Sequence, residues 1–174
     1  MEKNYKEILK KVDTLIFDFD GIFTDGTAIL IEGQPPLRSC HARDTYAVQL
    51  AVKKGYRVAV ITGGSSNEVK DRFLDLGVTD VFLKSHNKLL VYTQYCEDHK
   101  INDDTVLYMG DDIPDYRVMQ KVGLPCCPSD AAMEIKSVAK YISHIPGGKG
   151  CVREIIEQVL RVKGLWFDDE AHLW

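Results

Sequence analysis

The sequence predicts an α/β protein in which a parallel sheet is covered by helices on both faces. Three observations carry this expectation. Short apolar runs recur at residues 14–19, 57–61, 81–83 and 105–109, each too short for a helix. Longer segments with helical spacing stand between them, and two of these stop at a glycine, Gly55 and Gly77. The first and fourth runs end in paired carboxylates, Asp18 with Asp20 and Asp111 with Asp112, where open α/β sheets take ligands.

The elements follow in order. Residues 4–11 form a short amphipathic helix with Ile8 and Leu9 as its apolar contacts. Strand 14–19 ends in Asp-Phe-Asp-Gly, and Gly21 and Gly26 turn the backbone. Residues 27–32 and 37–42 flank Gly33-Gln34-Pro35-Pro36 as the arms of a β-hairpin flap. Asp44 is placed to cap a helix running to Lys54. Strand 57–61 ends at Thr62-Gly63-Gly64, and Ser65 with Glu68 makes a capping box for the helix that stops at Gly77.

Strand 81–83 precedes a helix over 87–99, with Leu89, Leu90, Tyr92 and Tyr95 as candidate core positions. Strand 105–109 leads to Gly110-Asp111-Asp112, and Pro114 suits the first turn of the next helix. Strand 124–126, a helix from Asp130 to about 138, and a short strand at 141–142 follow. A Gly147-Gly148-Lys149-Gly150 loop opens the last helix, 151–162, and a tail over 163–174 carries Trp166, Phe167 and Trp174.

Composition sets bounds on function. The 174 residues suit one domain, 1–174, with no linker or repeat. A net charge of −4 without a basic run argues against nucleic acid as the main partner. No apolar run has membrane-spanning length, and the charged N-terminus lacks a signal-peptide core, so the expected location is cytoplasmic. The five cysteines show no Cys-x-x-Cys or zinc spacing. They are expected as reduced thiols, with Cys126-Cys127 read as core packing plus a loop residue.

In a parallel sheet the strand ends share one edge, so Asp18, Asp20, Thr62, Lys88 and Asp111 converge. These are the parts needed for phosphoryl transfer. Asp18 suits attack on phosphorus, and Asp20, two residues on, suits protonation of the leaving oxygen and activation of water. Magnesium wants oxygen ligands, for which Asp18, Asp111 and the carbonyl of Asp20 are the candidates. Thr62, Gly63 and Gly64 can bind phosphate oxygens, and Lys88 offsets the charge. Asp112 and Asp115 fit either a helix cap or a metal role.

These motifs together resemble the haloacid dehalogenase superfamily of phosphohydrolases. Residues 18–26 look like its first motif, Ile61-Thr62-Gly63 its second, Lys88 its third and residues 110–115 its fourth. Residues 39–50, Ser85-His86-Asn87-Lys88 and the Gly-Gly-Lys-Gly-x-x-Arg-Glu stretch from Gly147 look like its capless subgroup. One departure is Gly64, where many members carry arginine.

The resemblance implies a Rossmann-like sheet of order 5-4-1-2-3 and magnesium-dependent catalysis through an aspartyl-phosphate. It implies an acidic sugar phosphate as substrate, 3-deoxy-D-manno-octulosonate 8-phosphate of lipopolysaccharide precursor synthesis, with a nine-carbon sialic-acid-like 9-phosphate as the alternative. The spacings agree with the absence of a cap: the 41 residues between Asp20 and Thr62 are largely used by a hairpin and a helix. A neighbouring subunit is then the simplest cover, and the resemblance implies a homotetramer whose hairpins associate and whose tails reach neighbouring sites. Lys149 and Arg153 are the candidates for the substrate carboxylate, with Arg43 next. A phospho-accepting receiver-like module and a silent oligomerisation scaffold are the rival classes. In a receiver the acidic pair comes early and the lysine last, the reverse of the order here.

Overall fold

The computed structural model describes residues 5–172, so Asn4 and Trp174 lie outside the described residues. Six parallel strands form one sheet of order β3-β2-β1-β4-β5-β6. They are β1 (Thr14–Phe17), β2 (Arg57–Ile61), β3 (Asp80–Phe82), β4 (Val106–Met109), β5 (Leu124–Cys127) and β6 (Tyr141–Ile142). The helices are α1 (Tyr5–Leu9), α2 (Ala42–Lys53), α3 (Asn67–Asp75), α4 (Lys88–His99), α5 (Tyr116–Met119), α6 (Met133–Val138) and α7 (Cys151–Arg161). The first five strands keep the expected order, and β6 extends it beyond β5.

Every residue of β1, β4 and β5 is buried, so these strands read as continuous apolar runs. Alternate side chains serve opposite faces. Leu15, Phe17, Val58, Val60, Leu107 and Met109 pack with Ala47 and Val48 of α2 and Ile155 and Val159 of α7. Ile16, Ala59, Ile61, Val106 and Tyr108 pack with Tyr92, Val118 and Ile135 of α4, α5 and α6. Full burial of such a side chain contributes about 1.5–3 kcal/mol, so the sheet edge is held from both sides.

The chain leaves β1 toward β2 and β3, then returns across β1 to β4. The strand order therefore reverses beside β1, which is where open α/β sheets form a crevice. Phe19 and Phe23 anchor the loop after β1. Phe23 meets Phe17 at 5.6 Å and Phe73 at 4.9 Å between ring centroids, both edge-on. Those contacts leave Asp18 and Asp20 on a rigid base.

Several local expectations are corrected. The hairpin arms form no ladder; one bridge joins Ile29 and Leu37, with backbone bonds of 3.0 Å in both directions. His41, not Asp44, stands at the N-cap of α2, and Asp44 lies buried in its first turn. Asp44 instead accepts the Arg153 N–H of α7 at 2.6 Å, capping a helix more than a hundred residues away. Ser66, one residue after the expected cap, accepts the Val69 N–H and donates to Glu68. Ala132 replaces Asp130 at the start of α6, and Asp130 accepts the Gly147 N–H at 2.9 Å. Leu90 points outward and is 65 % exposed, while Tyr92 and Tyr95 are buried. Cys126 and Cys127 both belong to β5 and enter opposite cores, so neither is a loop residue.

The tail packs on its own chain. Trp166 is buried against its own chain, Tyr46 donates to the Ala171 carbonyl at 2.5 Å, and Lys54 meets Asp168 at 2.6 Å. Residues 163–172 thus lie along α2.

Candidate active site

The Asp18 backbone N–H donates to the Met109 carbonyl at 3.0 Å, so the β1–β4 pairing continues one residue past the strand. This fixes the Asp18 side chain at the sheet edge, where it is buried. Lys88, first residue of α4, lies 2.9 Å from Asp18 and 2.7 Å from Asp115. Asn87 caps α4 by accepting the Leu90 N–H at 3.1 Å, which sets where Lys88 enters the cluster. Asp111 follows β4, and its carboxylate lies against Gly21. A Cβ at Gly21 would come within 2.0 Å of Asp111 Oδ2, and its φ is +81°, so glycine is required there twice over.

Asp115 is the best-anchored acid of the cluster. One oxygen accepts from Lys88 Nζ at 2.7 Å and Tyr108 Oη at 2.6 Å. The other accepts the N–H groups of Asp111 at 3.3 Å and Asp112 at 3.5 Å. Its accepting capacity is therefore occupied, which makes it a support rather than a ligand. Asp112 takes the capping reading: it accepts the Ile113 N–H at 2.8 Å and shares a capping box with Asp115.

The electrostatics follow from crowding. Burial first, then the negative charge of Asp115, pushes the Asp18 carboxyl up to about 7 against the attraction of Lys88. Burial and Asp115 likewise push Asp111 up to about 7. Burial works against the charge on Lys88, but Asp18 and Asp115 together hold its pKa above the ordinary lysine value. One oxygen from each of Asp18, Asp111 and Asp115 lies within 4.8 Å of the others. Three carboxylates face one ammonium, so an unbalanced negative cluster of hard oxygen donors remains. That donor set fits magnesium, with Asp18 and Asp111 as the carboxylates left to hold it.

Asp20 lies beyond this cluster, half-buried, facing a cleft of about 410 Å³. Thr62, Gly63 and Gly64 form its floor, and Ser65, Ser66 and Asn67 continue it toward α3. The Thr62 hydroxyl accepts the Gly64 N–H at 3.0 Å. The structure thus gathers Asp18, Asp111 and Lys88 into one cluster, with Asp20, Thr62, Gly63 and Gly64 bordering the cleft.

It does not bring Arg43, Lys149 and Arg153 into that cleft. These three line a separate surface concavity with His41, His144 and Arg161. Lys149 pairs with Asp25 at 3.4 Å. Arg153 pairs with Glu157 at 3.6 Å and stacks over Trp166 at 4.7 Å and Tyr46 at 5.6 Å. The glycines before Lys149 have a packing reason: a Cβ at Gly147 would come within 1.9 Å of the Gly21 carbonyl oxygen.

Two residues were missed. Arg38 of the hairpin arm donates from Nε to Asp20 Oδ1 at 2.6 Å, and no local signal in the sequence marks it. Tyr108 supports Asp115 from inside β4; its place in a buried strand was visible, its partner was not.

An open parallel sheet with a carboxylate nucleophile candidate at its central strand, a second acid two residues on and a lysine-held acid cluster has the layout of a phosphohydrolase. The comparisons agree. A family model for haloacid dehalogenase-like hydrolases matches residues 75–152. The 3-deoxy-D-manno-octulosonate 8-phosphate phosphatase KdsC of Salmonella typhi is 34% identical over 155 residues, 89% of this chain and 82% of that protein. The crystal structure of the phosphatase of that name from Yersinia pestis superposes with a TM-score of 0.90 at 29% identity, covering 93% of this chain and 88% of that one. The Moraxella catarrhalis phosphatase, solved with magnesium, phosphate and KDO, gives a TM-score of 0.89 at 26% identity, covering 93% of each chain. The chain belongs to the haloacid dehalogenase-like hydrolase family.

Proposed function

We propose that the protein is a cytoplasmic, magnesium-dependent phosphomonoester hydrolase that converts 3-deoxy-D-manno-octulosonate 8-phosphate to the free sugar acid in lipopolysaccharide precursor synthesis. The observation that carries the reading is Asp18, buried at the end of β1 with the Lys88 ammonium 2.9 Å away and Asp20 two residues on, facing an open cleft. The likeness to phosphatases of this substrate, one of them solved with magnesium and the sugar acid, supports it.

In this reading Asp18 attacks phosphorus and forms an aspartyl-phosphate, while the ester oxygen leaves with a proton from Asp20. Asp20 then takes a proton from the water that hydrolyses the intermediate. Thr62 and the Gly63 N–H hold phosphate oxygens, with Gly64 bordering the same pocket and its N–H holding the Thr62 hydroxyl, and Lys88 keeps Asp18 oriented and offsets the charge. Asp18, Asp111 and the Asp20 carbonyl would hold magnesium, which supplies charge neutralisation between nucleophile and phosphate. Asp115 and Tyr108 keep Lys88 in place.

The whole chain acts as one domain and assembles as a homotetramer whose neighbours cover the cleft. The hairpin supports this: Ile29, Leu30, Ile31 and Leu37 are 65, 80, 42 and 49 % exposed, an apolar surface that a second copy would bury. Arg43, Lys149 and Arg153 enter the reading only through a neighbouring subunit, since within one chain they line a different concavity. A nine-carbon sialic-acid-like 9-phosphate, which would present similar groups, is the alternative substrate.

The test is magnesium-dependent phosphate release from a panel of sugar phosphates, with turnovers counted. The reading expects many turnovers and the highest kcat/KM on the eight-carbon sugar acid phosphate. A single stoichiometric burst would instead indicate a receiver-like module, and no release a silent scaffold.

A further inference from the structure

Among the described residues, Arg38 is the one lysine or arginine that lines the cleft in front of Asp20 and Thr62. Its Nε donates to Asp20 Oδ1 at 2.6 Å, and its Nη1 reaches the Pro36 carbonyl at 3.4 Å. The cleft otherwise carries two acids, Asp20 and Glu68, among neutral residues. At Pro35 and Pro36 it continues into an apolar pocket of about 370 Å³ walled by Phe19, Phe23 and Phe73. Gly64 lies beside Thr62 and the other Asp20 oxygen: a Cβ there would stand 3.3 Å from the Thr62 hydroxyl oxygen and 3.9 Å from Asp20 Oδ2.

An anionic sugar acid entering this cleft meets two carboxylates and one guanidinium. In the reading above the phosphate lies against Asp18 and Lys88, so the remainder of the molecule would extend past Asp20 into the cleft that Arg38 lines. We propose that Arg38 reads the carboxylate of the substrate, releasing Asp20 as the substrate enters. This inference rests on the sugar-acid reading given above.

Three features favour the exchange. The Arg38 and Asp20 side chains are 26% and 39% exposed, and an ion pair so exposed contributes little, so giving it up costs little. A substrate carboxylate can take two parallel bonds from the guanidinium fork, which the single Nε contact to Asp20 does not use. Within its own chain the arm bearing Arg38 is tied by one bridge, Ile29 to Leu37, with no intrachain ladder to resist a shift. The exchange would also free the Asp20 oxygen for proton transfer at the moment a sugar acid is present. A substrate without a carboxylate would have nothing to offer Arg38.

The experiment compares wild type, Arg38→Ala and Arg38→Lys on two substrates with magnesium: 3-deoxy-D-manno-octulosonate 8-phosphate and a hexose 6-phosphate, which lacks a carboxylate. Inhibition by the unphosphorylated sugar acid is measured alongside. For Arg38→Ala the KM for the sugar acid phosphate should rise at least tenfold relative to that for the hexose phosphate. Inhibition by the free sugar acid should weaken by a similar factor. Arg38→Lys should recover part of both, because it keeps the charge and loses the fork. An equal KM rise on both substrates would mean that Arg38 holds phosphate. An equal fall in kcat with unchanged KM would mean that it only positions Asp20. No change in either would leave a surface ion pair. Each of these three results overturns the proposal. Wild-type enzyme that cleaves phosphosugars but disregards sugar acids would instead overturn the substrate reading.

Discussion

The ammonium of Lys88 stands 2.7 Å from the fully buried carboxylate of Asp115, and this contact holds the acid cluster together. Breaking a buried pair by removing one partner costs about 3–5 kcal/mol, because the remaining charge stays buried. Asp115→Ala should therefore lower unfolding stability by about that amount. Asp112→Ala, which removes an exposed cap, should cost only about 1 kcal/mol. Urea unfolding of both variants checks this; equal losses would contradict the supporting role of Asp115.

Asp18→Asn keeps nearly the shape of the side chain but removes the attacking charge and one metal-holding oxygen. Turnover should fall by several orders of magnitude, since both functions act in the same transition state. Retention of a tenth of wild-type kcat would remove Asp18 from the nucleophile role.

Asp20→Asn keeps the backbone carbonyl and should therefore keep magnesium binding while losing about 10²–10⁴-fold in turnover on an alkyl phosphate. The first chemical step should suffer less with nitrophenyl phosphate, whose leaving group needs little protonation. Rapid-mixing measurement of that step on both esters is the check, and equal losses would exclude Asp20 as the acid.

Magnesium affinity should depend steeply on pH. Asp18 and Asp111 are both pushed up to about 7, so below that pH they hold protons that a cation must displace. Apparent affinity should rise between about pH 6 and 8, by roughly tenfold per unit below 7 for each proton released. Calorimetry in buffers of different ionisation enthalpy would count the protons. Because ionised Asp18 and Asp111 burden the metal-free fold above pH 7, chelation should lower the melting temperature more at pH 8 than at pH 6.

Asp44 makes a separate prediction about stability. Burial raises its carboxyl to about 6, against the Arg153 N–H that favours the charged form. A raised carboxylate favours the fold below its unfolded pKa, near 4, and that contribution is lost as pH rises through about 6. Asp44→Asn, which keeps an acceptor for the α7 N–H, should flatten the stability curve between those limits by about 2–3 kcal/mol. Parallel curves for wild type and variant would refute it.

Local patterns in the chain were enough for the sheet and for the heart of the site. Apolar runs between helical segments located the strands, and the parallel geometry they imply already placed Asp18, Thr62, Lys88 and Asp111 on one edge. That inference works because burial on both faces leaves a record in every residue of a strand. The helix caps were less legible. Ser66 took the place of its neighbour Ser65, since adjacent serines satisfy the same local rule, and α6 starts at Ala132 with no side-chain cap at all.

Tertiary structure alone decided the partners of the charged residues. Nothing near Asp44 in the chain indicates that it caps α7, and nothing near Arg38 indicates Asp20. Nothing near Arg153 in the chain indicates that it stacks on Trp166, and nothing near Gly147 indicates that it packs against the carbonyl of Gly21. The physical reason is one of range. Hydrophobic periodicity is a property of consecutive residues and survives in the sequence. A long charged side chain can pair with any opposite charge within its reach, and which charge lies there is set by how the sheet orders its strands and where the loops cross.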